Sequence, residues 1–291
     1  MHSHHEGLTA NSTTTRWEGD VTDTAVPHPV LETASGTALD SAVWRLRSRG
    51  CWEDAAALLL PDAKDQPRAA LLRARLLVER CMFTGQGWER AEEALRAVES
   101  MPLNDEERGA AACERGYLAY AATLLRVRDR ADEARAALGR AAALLAPDSP
   151  GRPLLDFRRG LMAEHVSGNP QAAETGYRRA HNEAINRGDA LLSSYTWRHL
   201  AALALENGDL AEARHGFAES LRLREELGFL VGIAPALVAL AEVQPPDEAT
   251  RLRVEAARLH RLLGNVPHWL SPHLPPELPP DPAPEPLPPS D

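Results

Sequence analysis

The chain has 291 residues, with 32 basic and 42 acidic side chains and a formal net charge of −10. Its only lysine, Lys64, lies in a polar stretch that fits neither a phosphate-binding P-loop nor the desolvated site of a Schiff-base lysine. The acidic balance also argues against direct nucleic-acid binding, which depends on clustered positive charge.

The first 37 residues are rich in Thr, Ser, Gly and acids, and they show no sustained hydrophobic period. We predict a disordered tail over 1–37. The beginning of the chain lacks the basic and apolar segments of a secretion signal, and no apolar run reaches the roughly 20 residues of a membrane span. Cys51, Cys81 and Cys113 have neither metal nor redox spacing. We therefore expect a cytoplasmic protein that does not enter a membrane.

Residues 38–264 are rich in Ala, Leu, Arg and Glu, which favour helices. Apolar residues recur at three- and four-residue steps, as at Leu118, Ala121, Ala122 and Leu125. Glycines and prolines separate these segments and indicate short turns between them. The pattern predicts an all-α domain of about five to six antiparallel helix pairs.

The segment 265–291 contains 11 of the 23 prolines, together with four acids and no Lys or Arg. A chain this dense in proline cannot form helix ladders and favours extended polyproline II. We predict a proline-rich disordered tail over 265–291. It is either a solubilising segment or a ligand for an aromatic-lined proline-recognition domain.

An internal repeat runs through the helical region, in which a small residue stands early in the second helix of each pair. These residues are Ala55, Ala91, Ala134, Ala173, Ala213 and Ala249, with spacings of 36, 43, 39, 40 and 36. Four residues after the first five of them come Leu59, Leu95, Leu138, Tyr177 and Phe217, whereas Arg253 follows the last. The small residue lets two helices approach closely, and the large residue fills the space one turn later. Each pair leaves one apolar face uncovered, so neighbouring pairs must stack.

The clearest copy of the repeat contains Trp197, Leu200, Gly208, Ala213 and Phe217. It resembles the tetratricopeptide (TPR) pattern W-x2-L-G-x2-Y…A-x3-F, and the chain is similar to the TPR arrays of bacterial transcriptional activators and signalling ATPases. The resemblance implies an α-solenoid wound into a right-handed superhelix. The spacings exceed the usual 34 residues and imply longer helices or turns.

No catalytic motif is present in the sequence. The tract from Gly85 to Arg90 begins like a dinucleotide-binding loop but lacks its last glycine. The helical histidines, among them His165 and His199, have no partner that the sequence can assign, and the N-terminal histidines offer a metal no fixed geometry. We predict no catalytic residue, no metal site and no cofactor.

The resemblance to TPR proteins also implies a concave groove, lined by the first helix of each pair, that commonly takes a peptide. The candidate groove residues are Arg126, Arg158, His165, Tyr195 and Arg198. Arginines along a concave wall suit carboxylates, with which they form bidentate hydrogen bonds. Alternatively, these arginines are solvated or pair with neighbouring Glu residues.

The favoured hypothesis is a non-enzymatic scaffold whose groove binds a protein or peptide that is acidic or carboxylate-bearing. The acidic proline-rich tail of the same chain could also occupy the groove. A second hypothesis is a regulatory or sensor component that acts with a separate transcriptional regulator or signalling protein. A third, an enzyme on a helical-repeat scaffold, has no supporting motif.

Overall fold

The computed structural model describes residues 37–275, and all of its regular structure is helical. This range contains twelve α-helices, two short 3-10 helices (Asp62–Lys64 and His268–His273) and no β-strand. The α-helices are α1 (Ala38–Ser48), α2 (Trp52–Leu58), α3 (Pro67–Thr84), α4 (Trp88–Glu99), α5 (Asp105–Leu124), α6 (Ala131–Leu144), α7 (Arg152–His165), α8 (Pro170–Asn186), α9 (Ala190–Glu206), α10 (Leu210–Glu226), α11 (Leu230–Ala241) and α12 (Pro246–Leu262). The predicted all-α class is therefore confirmed. The predicted tails lie outside the described residues over 1–36 and 276–291.

Two of the turns between helices share a Gly-Asp sequence that ends one helix and caps the next. Gly208 ends α9 with φ of +82°, a left-handed conformation that glycine adopts without strain. Asp209 follows, and its side chain accepts a hydrogen bond from the Glu212 amide, which caps the first turn of α10. The same Gly-Asp sequence stands before α9, where Asp189 caps the Leu192 amide.

The helices pack as six consecutive pairs, α1/α2 to α11/α12. Each pair also contacts the next one along the chain, and α5 contacts both α3 and α7. The short turns make the two helices of each pair antiparallel. The structure thus contains the predicted array of packed helix pairs.

The repeat positions lie between the packed helices. The six small residues of the repeat are at most 4% exposed, and the five large residues that follow them are at most 3% exposed. Close approach is greatest between α7 and α8, where a Cβ on Gly176 would lie 2.9 Å from the Asp156 carbonyl oxygen and 3.2 Å from the Gly160 Cα. The side chain of Tyr177 then covers Gly160. Small residues thus set the spacing of the helices, as the repeat pattern predicts.

The first and last pairs contact each other as well. The indole Nε1 of Trp44 on α1 donates a hydrogen bond to the Leu227 carbonyl at 3.3 Å, and the Trp44 ring stacks on Phe229 with centroids 5.9 Å apart. Phe229 also meets Phe83 on α3 and Tyr195 on α9, at centroid distances of 6.5 and 6.1 Å. The odd-numbered helices therefore surround a shared interior. The TPR resemblance implies an open groove in this place.

The folded chain continues past the predicted boundary at residue 264. Leu270 in the second 3-10 helix is only 2% exposed and packs against Ile233 on α11 and other residues of that cluster. Val266 packs against the buried cluster of the N-terminal pairs. The 3-10 helix also contacts α3. Residues 265–275, which the proline count assigns to the tail, thus link the two ends of the array.

None of the helices described in the structure combines the length and the apolar character that a membrane crossing requires.

Candidate functional site

The interior of the N-terminal pairs holds a bidentate ion pair. Arg47 on α1 donates from Nε and Nη2 to the two carboxylate oxygens of Glu79, at 2.7 and 2.9 Å. Trp52 Nε1 donates to the same carboxylate at 3.1 Å. Both oxygens of this buried acid thus accept hydrogen bonds, and the pair is a structural element of the interior.

Arg158, one of the predicted groove residues, lies in a second buried ion pair. Its Nη2 donates to Glu114 at 2.7 Å, Arg75 donates to the other oxygen at 2.7 Å, and Glu114 is 1% exposed. Burial opposes ionisation of Glu114, but the two guanidinium groups outweigh it and lower the pKa of the carboxyl. The Arg158 guanidinium also stacks over Tyr117 at 4.4 Å. Arg158, at 5% exposure, therefore stabilises the interior and is not presented to a partner.

Arg126 lies apart from the interior. It follows the last turn of α5, with φ of +55°, and its side chain is exposed. An open depression of about 510 Å³ lies further along this turn, and one of its three arginines, Arg130, pairs with Glu92 and Glu133. The repeat phase predicts that Arg126, Arg158 and Arg198 lie together on one wall. The structure does not bring the three arginines together in this way.

Tyr195 is a packing residue of the interior. Its ring stacks on Phe157 at 5.9 Å and meets Phe229 edge-on at 6.1 Å. The Arg224 guanidinium lies 5.5 Å from its centroid. Burial raises the pKa of the Tyr195 phenol well above its ordinary value, so the side chain stays neutral.

His165, another predicted groove residue, belongs to a polar cluster where α5, α7, α8 and α9 meet. The cluster contains Tyr120, Glu164, His165, Tyr177 and His199. Glu164 Oε2 lies 3.1 Å from His199 Nδ1 and accepts a hydrogen bond from the Tyr177 hydroxyl. Glu164 Oε1 lies 3.6 Å from His165 Nε2, and the Tyr120 hydroxyl lies 3.1 Å from His165 Nδ1.

The charges of this cluster are defined by its hydrogen bonds. Burial by itself raises the pKa of Glu164. The hydrogen bond and charge of His199, together with the hydrogen bond from Tyr177, have the larger effect and lower this pKa to about 2. Burial lowers the pKa of His199 to about 4, despite the attraction of Glu164. At neutral pH the cluster therefore holds one carboxylate beside a neutral His199 imidazole. These two groups can act as hydrogen-bond acceptors or as metal ligands.

Arg198 lies beside this cluster and differs from Arg47 and Arg158, which have buried carboxylate partners. Within the part of the chain that the structure describes, it has no carboxylate within 4.0 Å and no hydrogen bond. Its nearest charged neighbour is Glu164, and burial lowers the pKa of its guanidinium more than Glu164 raises it. The half-buried charge is therefore poorly compensated.

Arg224, from α10, is a buried cation that likewise has no acid partner among residues 37–275. It is 4% exposed and donates to the Gly232 carbonyl at 2.7 Å and to the Ser194 hydroxyl at 3.4 Å. Burial lowers the pKa of its guanidinium to about 10. Arg47 and Arg158 thus each have a buried carboxylate partner, whereas Arg198 and Arg224 beside α9 have none among the described residues.

The sequence did not point to Glu164 or His199. The two residues are 35 positions apart on neighbouring helix pairs, and neither occupies a repeat position. They meet because α7 ends beside the middle of α9, and only the packing of the pairs determines that. His165 and Arg198, which were predicted, lie in the same region of the interior.

In comparisons with known proteins, no family model matches the chain and no curated protein shows significant similarity to it. The TPR resemblance therefore rests on the repeat pattern alone.

Proposed function

We propose that this protein is a non-enzymatic, TPR-like scaffold that binds a carboxylate-bearing segment of a partner protein, with Arg198 as the main contact. One observation carries the proposal: Arg198 is a half-buried cation with no ion pair among the described residues. Desolvating a charge without pairing it is costly, and a bound carboxylate would recover that cost. The right-handed superhelix belongs to the same proposal.

The surface along α9 supports a peptide ligand. Arg198, Ala202 and Leu205 follow one another at helical spacing, so they share one face of α9, and each is partly exposed. Val238, partly exposed, stands on the neighbouring helix α11. A guanidinium beside small apolar side chains suits a segment with a carboxylate next to an apolar residue.

A peptide selection tests this proposal. Peptides are selected from a random displayed library against the full chain, and affinities are measured by fluorescence anisotropy. We expect a conserved Asp, Glu or free C-terminus. The variant Arg198→Gln should weaken binding roughly tenfold to a hundredfold, since a hydrogen bond to a charged group contributes about 1.5–3 kcal/mol.

The control variant Arg126→Gln removes the same charge from the exposed turn after α5 and should leave the affinity unchanged. Replacing the peptide's carboxylate by an amide should weaken binding to the wild type but not to Arg198→Gln. Selected peptides without a carboxylate, or equal affinity for Arg198→Gln, would disprove the proposal. The alternative role, a regulatory component beside a separate transcriptional regulator, stays a prediction.

A further inference from the structure

We propose that Glu164, His165 and His199 form a binding site for a divalent transition metal of the zinc class, with one coordination position left to water or an anion. This inference goes beyond the scaffold function and stands independently of it. Two imidazoles and one carboxylate are a donor set that zinc uses where it keeps a position open.

The positions of the three donors fit a single ion. One ligand atom from each residue lies within 4.8 Å of the other two. Two donors on one tetrahedral zinc ion, each about 2.0–2.1 Å from it, are roughly 3.3 Å apart. The observed contacts of Glu164, 3.1 Å to His199 and 3.6 Å to His165, bracket that value. The ligand atoms of His165 and His199, which lie within 4.8 Å of each other, must approach to the same value when an ion binds.

The two imidazole rings are also oriented for shared coordination. Their centroids are 5.8 Å apart and their planes are nearly perpendicular, at 87°. Rings that bind one tetrahedral ion through nitrogen have centroids about 5 Å apart. The two rings thus pack edge to face, at a centroid distance close to that of two imidazoles on one ion.

The surroundings of His165 are compatible with the tautomer that a metal needs. Its Nδ1 lies 3.2 Å from the Leu161 carbonyl, one turn back on α7. A carbonyl oxygen can only accept, so the tautomer that satisfies it carries the proton on Nδ1 and keeps the lone pair on Nε2, and the Tyr120 hydroxyl, 3.1 Å from the same Nδ1, can then serve as a second acceptor. This Nε2 is the atom that points at Glu164. A histidine ligand that donates its other N–H to a backbone carbonyl is a usual support of metal sites.

Glu164 has a comparable support. The Tyr177 hydroxyl donates to its carboxylate, and Tyr177 is fully buried, so the carboxylate is held in place. Glu164 and His199 are partly buried, while His165 is exposed at the end of α7. An ion can therefore enter from solvent on the His165 side. With neutral imidazoles the three donors carry a charge of −1, and the cation Arg198 beside them favours an anionic fourth ligand.

Zinc titration of the chelator-treated full chain, followed by isothermal titration calorimetry, tests the site. We expect one tight site per chain in the wild type. His165→Ala and Glu164→Gln should each weaken zinc binding at least tenfold, the usual loss on perturbing a metal site. Co²⁺ provides a second readout, because its visible d–d absorption in the wild type should report tetrahedral coordination and disappear in both variants.

Two controls separate this site from other histidines. His215→Ala removes an exposed histidine of α10 and should leave zinc binding unchanged. Replacement of His2, His4 and His5 by Ala removes the histidines at the beginning of the chain and should also leave it unchanged. Circular dichroism of every variant checks that the helices remain. His165→Ala perturbs only an exposed position, so it keeps the test valid even if His199→Ala unfolds the protein.

The inference is overturned if the wild type binds zinc no more tightly than His165→Ala and Glu164→Gln. It is also overturned if binding disappears only when His2, His4 and His5 are replaced. Absence of peptide binding would contradict the proposed role of Arg198 and leave the metal site untouched. Absence of zinc binding would contradict the three-ligand site and leave the peptide proposal untouched.

Discussion

At the scale of single residues, the interior is organised by where each arginine finds its counter-charge. Arg47 and Arg158 have buried carboxylates, whereas Arg198 has none among the described residues. The repeat phase predicts equivalent or nearby positions for Arg158 and Arg198 and therefore the same role in a groove. Their roles differ because α5 supplies Glu114 to Arg158, and no repeat pattern encodes that acid.

The buried pair of Glu114 and Arg158 gives a stability prediction. Glu114→Gln removes the carboxylate that pairs with Arg158 and leaves a buried guanidinium without this counter-charge. We expect a loss of about 3–5 kcal/mol in the free energy of unfolding, measured by urea denaturation. Glu89→Gln changes an exposed acid on α4 and should stay within about 0.5 kcal/mol of the wild type. Similar losses for the two variants would show that the buried pair is not needed for stability.

At the scale of helices, close packing rests on small residues at the contacts. The sequence predicts these contacts well, since every small residue of the repeat proved to be buried. It predicts the ends of helices through glycines and caps such as Gly208 and Asp209. It does not predict side-chain contacts between different pairs, because those depend on how each pair is rotated against the next. The cluster around Glu164 belongs to this second kind and was missed for that reason.

A pair of glycine variants tests the close approach of α7 and α8. In Gly176→Ala the new Cβ would lie 2.9 Å from the backbone oxygen of Asp156, so the two helices must move apart. We expect a destabilisation of about 1–3 kcal/mol, in the range of overpacked cores. In Gly139→Ala, on α6, the Cβ meets nothing within 4 Å, and the higher helix propensity of Ala should stabilise the protein by about 0.5–1 kcal/mol.

The measurement is the shift of the thermal midpoint for both variants under identical conditions. Opposite signs support the close packing of α7 against α8. A stabilised Gly176→Ala would mean that the two helices are farther apart than the structure places them.

At the scale of the whole molecule, the two ends of the array contact each other, so packing is not limited to adjacent helix pairs. In an open repeat array each pair contacts only the adjacent pairs, so the terminal pairs can open first. Here α1 contacts α11, and the segment after α12 packs on both ends. The sequence could not indicate this closure, since the prolines of 265–291 suggest a tail throughout. Leu270 and Val266 pack onto the array although the segment is rich in proline, because the helices offer apolar surface against which these two side chains can be buried.

Leu270 tests whether this closing segment contributes to stability. It is 2% exposed, so Leu270→Ala should lower the free energy of unfolding by about 2–5 kcal/mol through lost burial and a residual cavity. Leu262→Ala removes the same atoms from a residue of α12 that is 68% exposed, and should change stability by less than about 0.5 kcal/mol. Because the 3-10 helix that holds Leu270 also contacts α3, the substitution should loosen that contact, and amide hydrogen exchange in α3 should become faster. Equal stability of the two variants would show that residues 265–275 belong to the tail and do not stabilise the array. Faster amide exchange confined to α11 and α12 would show that the two ends fold independently.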